Sequence, residues 1–113
     1  MPKLPDVYIR HILDEITFLE RFREIPDGAT LKRDEVLSRA VVRSLEIIGE
    51  AATNVDEGFR AQHPEVPWRR MVAMRNRLIH GYMGVNFNIV VNVLRNEIPG
   101  LRIGLEEIIV DLD

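Results

Sequence analysis

The sequence predicts an all-α fold, a bundle of four to five helices joined by short loops. Three observations carry this expectation. Apolar residues recur at three- and four-residue spacing through most of the chain. No segment alternates convincingly with the two-residue period of a strand. Glycine and proline act as punctuation between periodic segments, with no repeat and no low-complexity tract.

The elements follow in order. Asp6 suits the N-cap of a first helix running to about Phe22, with Ile9, Ile12, Leu13, Ile16 and Leu19 facing a core. Ile25-Pro26-Asp27-Gly28 reads as a turn. A long second helix spans about 31–55, with Leu37, Val41, Leu45, Ile48, Ala52 and Val55 as its stripe. Ala40, Ser44, Ile47 and Ala51 widen that stripe to nearly half the helix. Such an arc needs more than one neighbour, either two helices of the same chain or a second chain. Asp56 caps a short segment through Ala61. The connector His63-Pro64-Glu65-Val66-Pro67-Trp68 is extended, and Pro67 suits the first turn of a fourth helix to His80. Gly81 is a natural residue to end it. Asn86 caps a fifth helix to about Glu97, Pro99 breaks or kinks the chain, and a last helix reaches Leu112.

Composition narrows the function. The 113 residues suit one domain over the whole chain, 1–113. At 46% hydrophobic and 29% charged, the chain can bury a core, which argues against disorder. With no cysteine, a disulfide scaffold and a cysteine-based zinc site are excluded. No apolar run approaches a membrane span. The segment 1–6 lacks the apolar stretch of a signal peptide, so a soluble cytoplasmic domain is expected.

The charge is unevenly placed. The chain carries a net −3, yet 66–96 holds five arginines (Arg69, Arg70, Arg75, Arg77 and Arg95) and no acid. Ten basic and eighteen acidic residues remain elsewhere, a charge of −8. Local field decides whether a polyanion docks, so this window is a candidate phosphate surface. It also reads as a solvated face balanced by acids of other helices.

Within the fourth helix, Trp68, Met71, Val72, Leu78 and Ile79 lie within roughly 60° of Arg75 on the helical wheel. Arg75 thus sits in the apolar stripe, where a guanidinium needs a partner or a polar opening. Glu46 or Glu50 could supply an ion pair. Arg69, Ala73, Asn76 and His80 form an adjacent strip at spacings of four, three and four. His80 there is also a residue the helix dipole favours at a C-terminus. Tyr82 follows in the loop, where a phenol could pack over the helix end. Arg75 and His80 differ by about 140° around the helix and about 7.5 Å along it. Their convergence needs an extended arginine or one residue from each of two chains.

The segment Arg75-Asn76-Arg77-Leu78-Ile79-His80-Gly81-Tyr82 resembles the Rx4HxY motif of the HepT-like branch of the HEPN superfamily. Ile48-Gly49-Glu50-Ala51-Ala52 is similar to the family's second-helix motif, 63–68 to its connector, and Gly81-Tyr82-Met83-Gly84-Val85 continues the pattern. The chain departs from the family at Asn86, often aspartate, and Val91, often tryptophan. The resemblance implies a HEPN-type bundle that forms a homodimer, with the two motifs facing each other. It implies an endoribonuclease toxin that needs no metal and no cofactor. It implies Arg75, Asn76 and His80 as catalytic and Tyr82 as the acceptor of AMP. The donor would be an MntA-like nucleotidyltransferase antitoxin, which neutralises the toxin.

The residue types fit that chemistry. RNA carries its own nucleophile in the 2′-hydroxyl. His80 can take or give a proton near neutral pH. Arg75 offers a planar fork of donors to phosphate oxygens, Arg77 and Arg69 extend the phosphate surface, and Glu50 can hold Arg75. The window holds no carboxylate cluster, so no metal is implied. Two other classes remain open. One is a non-catalytic binding module that docks a nucleotidyltransferase and binds nucleotide or phosphate. The other is a structural helical dimer with Arg75 in an ion pair.

Overall fold

A computed structural model describes residues 4–112. The expectations for 1–3 of the N-terminal segment, and for 113, lie outside the described residues. Among the described residues all regular structure is helical. Four long rods form the bundle: α1 (Pro5–Glu20), α3 (Glu35–Thr53), α5 (Trp68–His80), and a continuous rod of α6 (Phe87–Asn92), a π-turn (Val93–Glu97) and α7 (Ile98–Leu112). Two short helices, α2 (Gly28–Arg33) and α4 (Glu57–Gln62), ride on the connections, and a 3-10 turn follows α5 at Tyr82–Gly84.

The start of α1 differs from the expected Asp6 cap. Leu4 is the extended residue before the helix, Pro5 takes its first turn, and Asp6 is already helical. Proline's fixed φ suits that position, and the N–H it lacks would have no intrahelical partner there. The apolar stripe is as expected, with Ile9, Ile12, Ile16 and Leu19 fully buried.

The long second helix is two helices. Asp27 caps α2 by accepting from the Thr30 N–H at 2.8 Å, and Asp34 caps α3 by accepting from the Leu37 N–H at 2.9 Å. Asp34 is itself extended, so the chain turns there before restarting. An aspartate favours such a break because its carboxylate satisfies an orphan N–H. The break lets α2 pack on α6 while α3 runs through the bundle. Gly28 fits that contact because it has no Cβ. Its N–H donates to Asn88 Oδ1 at 2.9 Å, and a Cβ would run into the Asn88 backbone nitrogen.

α3 lies between α1 and α5, so two helices of the same chain cover its wide arc. Val41, Leu45, Ile48, Ala51 and Ala52 are all buried along it. The α3–α5 contact is tightest at Gly49, where a Cβ would collide with the Arg75 Cβ and lie 2.6 Å from the Met71 carbonyl oxygen. On the other side α1 packs against α7. There Arg102 donates from Nε to Glu20 at 2.9 Å and from Nη2 to Thr17 Oγ1 at 2.6 Å.

Asp56 caps α4 through the Phe59 N–H at 3.2 Å. The connector is pinned by the Trp68 indole, whose Nε1–H donates to the His63 carbonyl at 3.0 Å, and by buried Val66. Pro67 stands one residue outside α5, as its N-cap. Asn86 caps α6 through the Asn88 and Ile89 N–H groups.

Pro99 does not end the helix. The ladder opens before it, where the Ile98 N–H reaches back to the Val93 carbonyl and forms a π-turn. Pro99 then falls in the first turn of α7, where a proline is tolerated. The break expected from sequence is thus absorbed inside one rod, whose Ile98, Leu101, Leu105 and Ile108 are buried.

Gly49→Ala should lower the unfolding free energy by about 1–3 kcal/mol in a urea titration, the usual cost of overpacking. Gly100→Ala, whose Cβ meets nothing within 4 Å, should leave stability equal or higher. The Thr30 backbone N–H holds the Asp27 carboxyl below its ordinary value. Its folded pKa is therefore depressed, and the cap's stabilisation is present above the unfolded pKa and fades as pH falls through the folded one. Asp27→Asn should flatten that acid limb of the stability–pH curve.

Candidate active site

α5 places the site. Trp68, Met71 and Leu78 are its buried stripe, and they press the helix onto α3. Arg75 lies in that stripe, as the wheel predicts, with its Cβ against Gly49. Only 30% of its side chain is exposed. The stem crosses the α3 backbone and the guanidinium emerges at the edge, as long charged side chains do on apolar surfaces.

The head group is held from two sides. Its Nη2 pairs with Glu50 Oε2 at 2.9 Å, and its Nη1 donates to Asn76 Oδ1 at 2.9 Å. The Nε atom is buried without a partner. Of the two acids the sequence offered, Glu50 is the partner, while Glu46 pairs with Arg43 at 3.4 Å. The Glu50 side chain is 56% exposed, so the pair is a surface one in solvent terms and its net contribution is small.

The Asn76 bond ties Arg75 to the neighbouring strip. Arg69, Ala73, Asn76 and His80 are all exposed along it. His80 is the last residue of α5, and Gly81 closes the helix by donating to the Arg77 carbonyl at 2.8 Å. Gly81 has a φ of −106°, so the helix ends without a left-handed residue. Tyr82 and Met83 stand in the 3-10 turn just beyond, 74% and 88% exposed. Tyr82 therefore presents its phenol to solvent instead of packing over the helix end.

His80 and Arg77 line one groove of about 440 Å³ with Gly84, Val85 and Asn86. Arg75 is not among the residues that line it.

The arginines of the acid-free window divide into two groups. Arg70 pairs with Glu97 and Arg75 with Glu50. Arg95 donates from Nη2 to the Ile25 carbonyl at 2.6 Å and holds the turn before α2. Among the described residues, Arg69 and Arg77 have no acidic partner. The window is therefore less positive in space than in sequence, because Glu50 and Glu97 arrive from outside it. Glu97 stands just past the window's end. Gly49, which the sequence offered only as part of the 48–52 motif, sets the approach of α3 to α5. Its signal was a lone glycine inside an apolar helical stripe.

Among the described residues, no three histidine, aspartate or glutamate side chains cluster to hold a metal ion. No helix among them is long and apolar enough to cross a membrane.

The HepT-like family, described as "Ribonuclease HepT-like", matches residues 12–108. The chain belongs to the HepT-like family of the HEPN superfamily. It is 47% identical over 108 residues to "Putative RNase TTE0752" of Caldanaerobacter subterraneus subsp. tengcongensis, covering 95% of this chain and 96% of that one. It is 38% identical over 95 residues to "Probable ribonuclease HepT" of Thermococcus cleftensis, covering 84% and 86%. A third relative, "Putative RNase MJ0127" of Methanocaldococcus jannaschii, is 36% identical over 116 residues, covering 97% and 94%. No solved structure gives a significant match. The all-α bundle expected from the resemblance is thus the fold of this HepT-like chain.

Glu50→Gln should lower stability by less than about 1 kcal/mol in the same titration, because an exposed ion pair contributes little. A loss several times larger would place the carboxylate in a buried structural pair instead.

Proposed function

We propose that this HepT-like protein is an endoribonuclease toxin that cleaves RNA without a metal at a site built by two chains. The observation that carries the reading is the Arg75–Asn76 hydrogen bond at 2.9 Å. It links the one arginine of the buried stripe to the exposed strip that ends in His80. A structural ion pair with Glu50 alone would not need that second anchor.

The chemistry follows from the groups. His80 removes the proton of the ribose 2′-hydroxyl, and the oxygen attacks the neighbouring phosphorus. The bond to the 5′-oxygen breaks, and His80 of the partner subunit protonates that leaving oxygen. The products are a 2′,3′-cyclic phosphate and a 5′-hydroxyl. Arg75 stabilises charge on the phosphorane, and Asn76 orients guanidinium and substrate. Glu50 holds Arg75 until the phosphate takes over its Nη2, an exchange that an exposed pair permits. Arg77 and Arg69, free of acidic partners among the described residues, attract the flanking phosphates. The separation of Arg75 from the His80 groove supports a homodimeric site, because each chain then supplies what the other lacks.

Control acts through Tyr82. Its phenol attacks the α-phosphate of ATP in an MntA-like nucleotidyltransferase, pyrophosphate leaves, and AMP remains on the ring. The exposed phenol, two residues from His80, supports this assignment. The added phosphodiester competes for the Arg77 donors and obstructs the groove.

His80→Ala should abolish cleavage of RNA in the presence of chelator and leave the dimer intact by light scattering. Undiminished cleavage would remove His80 from the mechanism, and binding without turnover by the unmodified protein would favour the binding-module reading. Incubation with the nucleotidyltransferase and ATP should add AMP masses at Tyr82 and silence the nuclease. A Tyr82→Phe protein silenced equally well by AMP transfer would place the acceptor elsewhere.

A further inference from the structure

α5 packs mainly against α3, and its other side stands off from α6, the π-turn and α7. A trough of about 370 Å³ remains along that seam. This lies within the size range of small-ligand sites, about 300–1,000 Å³. Its walls include Met71, Met74, Ile89 and Val93. Four polar groups stand among these walls: Arg70 and Glu97, which pair with each other, and Arg77 and Asn92. Arg77 has no acidic partner among the described residues, and Asn92 receives a bond from the Asn96 amide on its Oδ1 at 2.6 Å, which leaves its own NH₂ to donate. The acid in the lining, Glu97, is neutralised by Arg70.

The trough adjoins the His80 groove. Met74, Arg77 and Ile89 line both. A ligand that reaches from one to the other must combine an anionic link, for Arg77, with a flat apolar body that has hydrogen-bonding edges. A nucleotide has that chemistry. Unpaired bases are read by apolar or guanidinium contact on their faces and by amides on their edges. A duplex cannot insert a paired base into such a slot without opening it.

We propose that this trough is a subsite for one unpaired nucleobase flanking the scissile linkage, with Arg77 on the intervening phosphate and the Asn92 amide on the base edge. The subsite rests on the nuclease reading above and makes the protein selective for single-stranded RNA. Ala73, exposed at the lip of the trough, gives access to a test that spares the core.

The cleavage position in a short single-stranded oligoribonucleotide is first mapped, and the nucleotides on either side are then replaced in turn by an abasic residue. One replacement should lower kcat/KM by about tenfold, the scale of a lost base contact. Ala73→Phe, which fills the trough, should slow cleavage of the intact RNA and make removal of that base nearly neutral. Asn92→Ala should change which base is preferred there.

A second measurement does not need turnover. An RNA carrying 2′-deoxy at the cleavage position and 2-aminopurine beside it should change fluorescence on binding the unmodified protein, and Ala73→Phe should abolish the change. Equal cleavage of abasic and intact RNA, an unaltered fluorescence response in Ala73→Phe, or a shift of oligomeric state as that variant's only effect would overturn the subsite. If the unmodified protein cleaves no RNA at all, the nuclease reading falls. The fluorescence titration alone then decides whether the trough binds a base.

Discussion

The close approach of α3 and α5 at Gly49 is the constraint on which the rest depends. α5 carries nearly every group of the candidate site, and it is fastened chiefly to α3. A side chain at position 49 would push α5 outward at the level of Arg75. Because Gly49 has none, the Arg75 stem can lie against the α3 backbone and deliver its guanidinium to the edge. There Glu50, the next residue on α3, and Asn76, the next on α5, meet it. One missing methyl group therefore fixes helix spacing and the place of the arginine together.

The charges are arranged by the same packing. An acid-free stretch of sequence suggests a uniformly basic face, but folding brings Glu50 and Glu97 to two of its arginines and loop carbonyls to a third. The cations of the window without an acidic partner among the described residues, Arg69 and Arg77, are exposed on α5. Pairing of the others leaves the window less positive than its sequence suggests. The Arg75–Glu50 pair is exposed on its carboxylate side and so contributes little, whereas a buried pair would hold its arginine far more tightly.

The rod from α6 to α7 supplies the opposite wall. Its π-turn accommodates Pro99 without ending the helix, and Arg95 within that turn anchors the loop before α2. α5 does not close fully against this rod. The seam left between them is an apolar trough beside the groove that carries His80 and Arg77.

The sequence by itself determined the helical class, the stripes of α1 and α5, the caps at Asp56 and Asn86, and the exposed strip from Arg69 to His80. These depend on local periodicity and on side chains that bond the nearest backbone, so neighbours in sequence suffice. It also carried the motif that places the chain in its family. It did not decide the break at Asp34, because a capping aspartate inside a helical pattern is visible only once α2 has somewhere else to pack. It did not decide that Pro99 continues a rod, because the burial of Ile98 and Leu101 on both sides of the proline holds the helix together. The helical wheel offered Glu46 or Glu50 to Arg75 and the motif favoured Glu50, and the structure pairs Arg75 with Glu50. Which cations stay free, and which seam stays open, are decided by contacts between residues far apart in the chain, and no local pattern contains them.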